Sequence, residues 1–469
     1  MSAPPATCLQ IAADVQDRKQ SAREVADAAL ARAAKFQDRF RAFIRMTPEI
    51  AREQARKVDE RVKAGEELPL AGVPFAVKDL FDVQGIPTTF GSKVFADRVA
   101  KADGTAVKKL VDAGAVCLGK LNLHECAFGF TGENRNFGDV RNPWDPDRIA
   151  GGSSSGSAVA VALRICPLTL GSDTGGSIRM PSALCGLTGL KPTYGRVSRA
   201  GEMPLSWTMD HVGPITRTAA EAALALKILA GPDPADESAS RRVVPDYPAE
   251  LTARIRGLRI GVMHQWFFEA LDPDVAGAVT RGLVKLVGLG ARQVEVHLPF
   301  LEEVVGAHRA IIFSEAGSFH RPHLAGRAKD YADDIRPLLL AGLFIPAVEY
   351  LDALRARRII RREWAKVFEN IDVLITPTTP VTATRFGETT ADVAGGPRPL
   401  VRAYLDLTLP FNLTGYPAIS IPCGFSKAGL PIGMQLVGRP FAESVLLRAA
   451  HQYQQETDWH RRTPPAAAG

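Results

Sequence analysis

Two loops rich in glycine and serine flank one apolar segment between residues 151 and 177. The first loop reads GGSSSG (151–156) and the second reads SDTGGS (172–177). The second loop can present the successive backbone N–H groups of Thr174, Gly175, Gly176 and Ser177 to one concavity, which suits a developing oxyanion. Ser177 would then be a nucleophile beside its own oxyanion hole.

Lys78 is a candidate for the base that such a nucleophile needs. The apolar run at 73–77 predicts a strand that ends at Lys78, and apolar residues on both sides predict a buried side chain. Burial disfavours the charged form of lysine, so its amine can be a base near neutral pH. A serine that relays a proton between this amine and Ser177 would make a His/Asp pair unnecessary.

Two other chemistries fit the glycine-rich loops less well. Residues 152–156 formally match GxSxG, the nucleophile elbow of α/β-hydrolases with Ser154 as nucleophile. That motif follows a buried strand, whereas RNPWDPDRIA (141–150) is polar and broken by proline. A phosphate-binding loop would require GxxxxGK[ST], or GxGxxG after a strand, and neither pattern is found.

The apolar periodicity alternates helices with short strands, which predicts an α/β sheet. Strands are predicted at 73–77, 115–119, 166–170, 258–262, 372–375, 418–422 and 432–437. Helices are predicted at 21–36, 48–63, 103–114, 157–163, 221–230 and 273–287, over most of 301–370, and from about 442. Residues 381–399 form the longest irregular stretch and are a candidate lid.

Composition disfavours nucleic-acid-binding, membrane and metal-dependent proteins. The 469 residues are 46% hydrophobic and 23% charged without an evident linker, which predicts one large unit or two halves that share a core. The net charge of +6 is dispersed, so no nucleic-acid partner is expected. The six cysteines lack metal-ligand spacing, and neither a signal peptide nor a long apolar run is found. We therefore expect a soluble, cytoplasmic protein with no membrane contact, no metal and no cofactor.

Taken together, these segments closely resemble the amidase signature family. The resemblance rests on Lys78 in FAVKD, on GGSSSGSAVAVA (151–162), and on GSDTGGSIRMPSALCGLTGLKPTYG (171–195), with TPTTP, NLTGYPAISIPCGF and GLPIGMQLVG further on. It implies an α/β fold with a large mixed central sheet covered by helices on both faces. Residues 1–469 would form a single amidase-signature domain, with a catalytic core at 65–230, a more helical, variable part at 231–371, and strands and a helix at 372–469 that complete the core.

The resemblance also implies catalytic roles. In the family's Ser-cisSer-Lys triad, Lys78 would be the base, Ser153 the proton relay and Ser177 the nucleophile of an acyl-enzyme. Asp173 and Arg179, which have opposite charges, are expected to hold the nucleophile loop in place. Ser154 is expected to support the first loop.

One branch of the family releases ammonia from glutamine for tRNA-dependent amidation, together with a partner subunit. That branch holds the amino-acid part of glutamine with an arginine pair and an aspartate, whereas this chain reads PLLLAG (337–342) and LDLTLPFNL (405–413) at those places. Glutamine would leave its charges unpaired there, so this branch is kept as the alternative. A non-catalytic interaction subunit is disfavoured because Lys78, Ser153 and Ser177 are all present.

The main expectation is therefore a monomeric or homodimeric amidohydrolase that acts on a small neutral amide. Apolar or aromatic amides are expected as substrates, as in an aryl acylamidase, and also esters or carbamates, as in a urethanase. The candidate pocket residues are Phe128, Gly129, Phe130, Thr131, Trp207, Leu338, Leu339, Leu340 and Phe344.

Overall fold

The computed structural model describes residues 6–467, in which helices surround a large mixed β-sheet. The strands are β1 (Phe43–Met46), β2 (Pro74–Lys78), β3 (Val116–Leu121), β4 (Leu168–Ser172), β5 (Thr188–Lys191), β6 (Val212–Thr216), β7 (Arg259–Val262), β8 (Arg292–Glu295), β9 (Val373–Pro377), β10 (Thr390–Val393), β11 (Gly396–Pro399), β12 (Ala418–Phe425) and β13 (Pro431–Gly438). The helices are α1 (Cys8–Gln16), α2 (Ala22–Phe40), α3 (Pro48–Lys63), α4 (Thr105–Asp112), α5 (Ser155–Ala162), α6 (Arg179–Cys185), α7 (Ala219–Leu229), α8 (His264–Phe267), α9 (Pro273–Gly288), α10 (Leu301–Arg327), α11 (Arg336–Gly342), α12 (Ala347–Val367), α13 (Leu400–Leu405), α14 (Pro410–Thr414) and α15 (Glu443–Gln455).

Eleven strands form the main sheet in the order β1-β3-β2-β4-β6-β5-β12-β13-β9-β7-β8. Strand β2 is parallel to β3 and β4, and β7 is parallel to β8 and β9. The pairs through β5, β6, β12 and β13 are antiparallel. The expected class, a mixed α/β sheet flanked by helices, is confirmed.

The core strands are buried along their whole length, as parallel strands covered on both faces must be. Strands β2, β4 and β9 read PFAVK, LTLGS and VLITP, and every residue in them is buried. All seven predicted strands are present with shifted ends. Strands β1, β5, β6 and β8 were missed because they are short and carry arginine, glycine, proline or exposed polar residues.

The sheet brings the chemically interesting loops to one edge. Strands β2 and β4 are parallel neighbours, with Val77 opposite Leu170, so their carboxyl ends place Lys78 and Ser172 side by side. The first serine loop leads into α5, and the second joins the end of β4 to α6. Ligand sites of open α/β sheets lie at such carboxyl ends.

The predicted irregular stretch 381–399 is partly ordered. It contains the hairpin of β10 and β11, in which Thr390 lies opposite Pro399. The hairpin and α13 share a small apolar cluster with the loop before Gly151 and with α6, built from Ile149, Met180, Leu184, Val381, Ala383, Ala391, Leu400, Ala403 and Tyr404. A lid function for this segment stays a prediction.

Across residues 6–467, no single helix is both long and apolar enough to cross a membrane. Helices α11 and α12 together meet the criteria of length and composition, but a bend of 91° separates them. The same residues contain no cluster of three or more His, Cys, Asp or Glu side chains arranged to hold a metal ion.

Candidate active site

Lys78 lies at the end of β2 with its side chain completely buried. Its Nζ is 2.7 Å from Ser153 Oγ and 2.9 Å from Ser172 Oγ. Burial lowers the pKa of Lys78 to about 7, although the carboxylates of Glu202, Asp210 and Asp173 act in the opposite direction. A large fraction of the amine is therefore neutral at physiological pH and able to accept a proton.

The first loop presents Ser153 to this lysine. The peptide bond between Gly152 and Ser153 is cis. A side chain at Gly152 would press against the backbone of residues 129–132, with the nearest atom, Gly132 N, at 3.0 Å. Glycine is thus required there for close approach of two backbone segments.

The two serine loops are tied together by backbone and hydroxyl contacts. The Ser154 N–H donates to the Ser177 carbonyl oxygen at 3.2 Å, and the Ser154 hydroxyl donates to the Ser172 carbonyl oxygen at 3.1 Å. In the part of the chain that the structure describes, no hydrogen bond joins the Ser153 and Ser177 hydroxyls. Hydrogen bonds between catalytic groups are often long or absent without substrate, so this does not argue against a relay between the two hydroxyls.

The structure differs in one respect from the oxyanion nest predicted at residues 174–177. The Gly176 N–H donates to Asp173 Oδ1 at 2.9 Å and is therefore not available to a substrate oxygen. Within residues 6–467, the N–H groups of Thr174, Gly175 and Ser177 form no internal hydrogen bond and remain available. Sequence reasoning could not detect this difference, because it arises from the carboxylate of Asp173 folding back over its own loop.

Asp173 and Arg179 form a completely buried ion pair beneath the second serine loop. Arg179 donates to both carboxylate oxygens, at 2.9 Å from Nε and 2.8 Å from Nη2. Burial raises the pKa of Asp173, but the charge and hydrogen bonds of Arg179 outweigh it and hold that pKa below its usual range. The side-chain oxygens of Gln435 and Asn412 accept further guanidinium hydrogens, each at 2.6 Å.

Side chains from distant elements fix the carbonyl groups of the second serine loop. His308 of α10 bonds to the Thr174 carbonyl oxygen at 2.9 Å through Nε2, and Thr408 donates to the Gly175 carbonyl oxygen at 2.6 Å. The Thr174 hydroxyl donates to Asp210 at 2.6 Å. Sequence reasoning missed His308, Asp210, Thr408 and Ser172, since a lone polar residue in a helix or loop carries no local signal of a distant contact.

Two acids lie behind Lys78. Burial raises the pKa of Asp210 to about 6, and burial together with the nearby Asp210 carboxylate raises the pKa of Glu202 well above its usual value. Among the described residues Glu202 Oε2 is buried without a hydrogen-bond partner. Proton uptake by this pair would reduce the negative charge that favours the protonated form of Lys78.

The structure places the predicted pocket residues in different parts of the molecule. Phe128, Gly129, Phe130 and Thr131 lie beside the first loop, where Phe128 packs edge-on against Phe313 and Phe130 packs against Tyr404. Leu338 is partly buried and packs against the core from α11. Trp207 is 40% exposed, and none of its hydrogen bonds reaches the serine loops, because its carbonyl oxygen accepts from Tyr194 and Arg199.

Lys78, the cis peptide bond before Ser153 and the two serine loops thus lie together at one edge of the sheet. A family model described as Amidase matches residues 24–447, and the chain belongs to the amidase signature family. It is an enzyme that acts on linear amide C–N bonds.

Comparison with known proteins places the chain among amidotransferase relatives. It is 42% identical to the A subunit of glutamyl-tRNA(Gln) amidotransferase from Geobacter metallireducens, covering 94% of this chain and 95% of the relative. A solved structure described as a vestigial protein complex that bears on the origins of an s-triazine catabolic enzyme is 40% identical, covers 96% of this chain and 98% of its own, and has a TM-score of 0.92. The corresponding amidotransferase chain of Thermotoga maritima is 33% identical, covers 92% and 90%, and has a TM-score of 0.78.

These comparisons correct two expectations. The predicted amidohydrolase for a neutral, apolar or aromatic amide is wrong, because relatives 40–42% identical over nearly the whole chain are A subunits of glutamyl-tRNA(Gln) amidotransferase. The predicted monomer or homodimer without nucleic acid is wrong for the same reason, since those relatives are subunits of an enzyme named for a tRNA. Aryl acylamidase and urethanase specificities lose their support as well. The prediction was wrong because it relied on two pocket segments, 337–342 and 405–413, which differ from the glutamine-dependent branch although the chain as a whole is similar to it.

Proposed function

We propose that the chain is the amide-hydrolysing subunit of a tRNA-dependent amidotransferase, and that it releases ammonia from glutamine. The observation that carries the proposal is the 42% identity to the amidotransferase relative across 94% of the chain. The Lys78 Nζ to Ser153 Oγ distance of 2.7 Å supports it, because the proton-accepting end of a relay is already assembled.

The proposed reaction begins when neutral Lys78 accepts the proton of Ser153, which in turn takes the proton of Ser177. Ser177 Oγ attacks the carboxamide carbon, and the oxyanion is held by the N–H groups of Thr174, Gly175 and Ser177. Ser153 returns a proton to the departing nitrogen, and ammonia leaves. Water then attacks the acyl-enzyme, the acid product departs, and Ser177 regains its proton.

The amidotransferase relatives also suggest where the protein works. All six cysteines are buried and free, which supports a reducing compartment. Together with a tRNA-linked role, this favours the cytoplasm, with partner subunits and tRNA as the binding partners.

A second candidate function is favoured by two pocket segments. PLLLAG (337–342) lacks the arginine pair of the glutamine-dependent branch, and in LDLTLPFNL (405–413) the nearest aspartate, Asp406, is offset by one residue. The Leu405 side chain lies 3.8 Å from the position that a Cβ on Gly175 would occupy. The charged amino-acid part of glutamine would lack partners there. A complex-bound hydrolase that takes another nitrogen-rich amide, as suggested by the relative linked to s-triazine catabolism, accounts for these residues.

The deciding experiment measures ammonia release by the purified protein, isolated with its native partners, from glutamine, asparagine and biuret. Ser177→Ala tests the nucleophile, and Ser157→Ala is the matched control, since Ser157 lies buried in α5 with its hydroxyl bonded to the Leu170 carbonyl oxygen. Ser177-dependent release from glutamine supports the first proposal, and release from biuret alone supports the second. Ammonia release that Ser177→Ala leaves intact would contradict both.

A further inference from the structure

A cleft opens where helix α12 meets the loops that carry Tyr194 and Thr208. Its volume is about 390 Å³. No residue of the proposed triad or of the oxyanion loop lines it. Its walls are formed by Tyr194, Thr208, Leu354, Arg357, Arg358 and Arg361.

Three guanidinium groups enter this cleft from one helix. Arg357 and Arg361 are four residues apart, so α12 places them one turn above the other, and Arg358 lies beside them. Throughout residues 6–467, no carboxylate lies within ion-pairing distance of any of the three. Their neighbours on the outer side of α12 are paired: Arg355 bonds to Asp352 at 3.0 Å and Arg362 bonds to Glu363 at 2.9 Å.

Arg357 is the most enclosed of the three. Its Nη2 donates to the Thr208 carbonyl oxygen at 2.8 Å, whereas its Nε is buried and has no partner among the described residues. Burial and the Arg361 guanidinium lower the pKa of Arg357. A buried N–H without an acceptor, beside a like charge, is unfavourable unless an anion supplies both the acceptor and the opposite charge.

Among the described residues, no carboxylate of a neighbouring element accepts a hydrogen bond from Arg357 Nε. Glu315 of α10 is the acid whose charge acts on Arg357, but its oxygens accept from Ser206, from Thr208 and from Tyr350. Tyr350 is a phenol and adds no charge at neutral pH. The cleft thus keeps a local excess of positive charge.

We propose that this cleft is a binding site for a phosphate group. Guanidinium groups donate paired N–H bonds that match the oxygens of phosphate, and a dianion balances three cations better than a single carboxylate does. The cleft is large enough for free phosphate or for the phosphate of a monoester. Tyr194 offers an aromatic wall to whatever the phosphate carries. This inference does not depend on the donor that the active site uses.

The test is isothermal titration calorimetry of the full-length protein with inorganic phosphate, at an ionic strength held constant with sodium chloride. We expect saturable binding that Arg358→Gln combined with Arg361→Gln weakens at least tenfold. The matched control combines Arg355→Gln with Arg362→Gln, which removes two charges from the same helix but outside the cleft, and should leave the affinity unchanged. Constant ionic strength separates site binding from general screening.

A second arm identifies the source of the phosphate. Adenosine monophosphate that binds in the wild type and loses affinity in the Arg358/Arg361 variant indicates a phosphate monoester, and binding of inorganic phosphate alone indicates the free ion. Absence of saturable phosphate binding to the wild type overturns the proposal. Equal weakening in the cleft variant and the control variant also overturns it, because the effect would then follow from overall charge.

Discussion

His308 donates a hydrogen bond from Nε2 to the carbonyl oxygen of Thr174 over 2.9 Å. A carbonyl oxygen only accepts, so the proton is on Nε2, and burial lowers the pKa of His308 to about 4, which keeps the ring neutral. Because the peptide unit is planar, fixing the Thr174 carbonyl also fixes the direction of the Gly175 N–H on the opposite side. One helix far along the chain therefore sets the direction of a donor in the proposed oxyanion hole.

Replacement of His308 by phenylalanine should lower kcat more than it changes KM. Full loss of one oxyanion donor costs about 10²–10³ in rate, so misdirection of the Gly175 N–H should cost at least about tenfold. His308→Gln, which keeps a donor of similar reach, should recover part of kcat. Steady-state assays of ammonia release give kcat and KM for both variants. Equal losses of kcat in His308→Gln and His308→Phe would show that the hydrogen bond has no part in catalysis.

The pH dependence of kcat/KM should report the deprotonation of Lys78. A base must be neutral to act, and the pKa of Lys78 is lowered to about 7, so activity should fall as the pH drops below that value. The expected loss is about tenfold per pH unit on the acid side. Lys78→Arg, which stays protonated, should have no activity at any pH from about 5 to about 9.

Lys191→Met is the control for this prediction. Lys191 is another completely buried lysine, and its Nζ donates to the carbonyl oxygens of Pro192 and Tyr416 rather than to Ser153 or Ser172. Its loss should lower stability but leave the acid limb of the pH profile in place. An unchanged acid limb in an active Lys78→Arg variant would rule out the proposed base.

Breaking the Asp173–Arg179 pair should destabilise the fold and abolish activity together. Both side chains are completely buried, and removal of one partner from such a pair costs about 3–5 kcal/mol. Arg179→Gln should therefore lower the free energy of unfolding by that amount in urea titrations. Arg23→Gln, which removes a partly exposed ion pair with Asp27, should have little effect. Equal stability of the two variants would contradict the structural role of Arg179.

Gly176→Ala should inactivate the enzyme through a steric conflict. The φ of Gly176 is +137°, and an added Cβ would collide with the Thr408 hydroxyl that holds the Gly175 carbonyl. Gly65→Ala isolates the backbone strain, because Gly65 has a φ of +87° and open space around it, and it should cost about 1–2 kcal/mol of stability without loss of kcat. Activity assays and thermal unfolding of both variants check this, and an active Gly176→Ala enzyme would contradict it.

Much of the site could be read from the sequence because its chemistry is local. Lys78 follows a continuous apolar strand, and each serine loop is a short segment whose glycines allow close backbone approach. The contacts that complete the site are not local: Ser172 is brought to Lys78 by the parallel pairing of β2 and β4, and His308 reaches Thr174 from a helix 134 residues away. No spacing rule connects such positions, since they depend on strand order and helix docking.

The function was the least predictable part. The segments 337–342 and 405–413 predict a pocket without the charges that bind glutamine, whereas the similarity of the whole chain supports a component of an amidotransferase. Pocket residues change readily as proteins diverge, so they indicate substrate specificity. The similarity of the rest of the chain indicates the family and the kind of complex in which the protein works. The ammonia-release experiment separates these two kinds of information.

The position of β12 and β13 in the sheet has a consequence for biosynthesis. These strands, at residues 418–438, lie between β5 and β9 and are the only link in the described sheet between its earlier and later halves. A growing polypeptide on the ribosome therefore exposes the edges of β5 and β9 until residues 418–438 have been translated. The hydrogen bond from Arg179 to Gln435 also forms only once β13 is present. The loop at residues 172–177 thus acquires this support only after β13 has been synthesised.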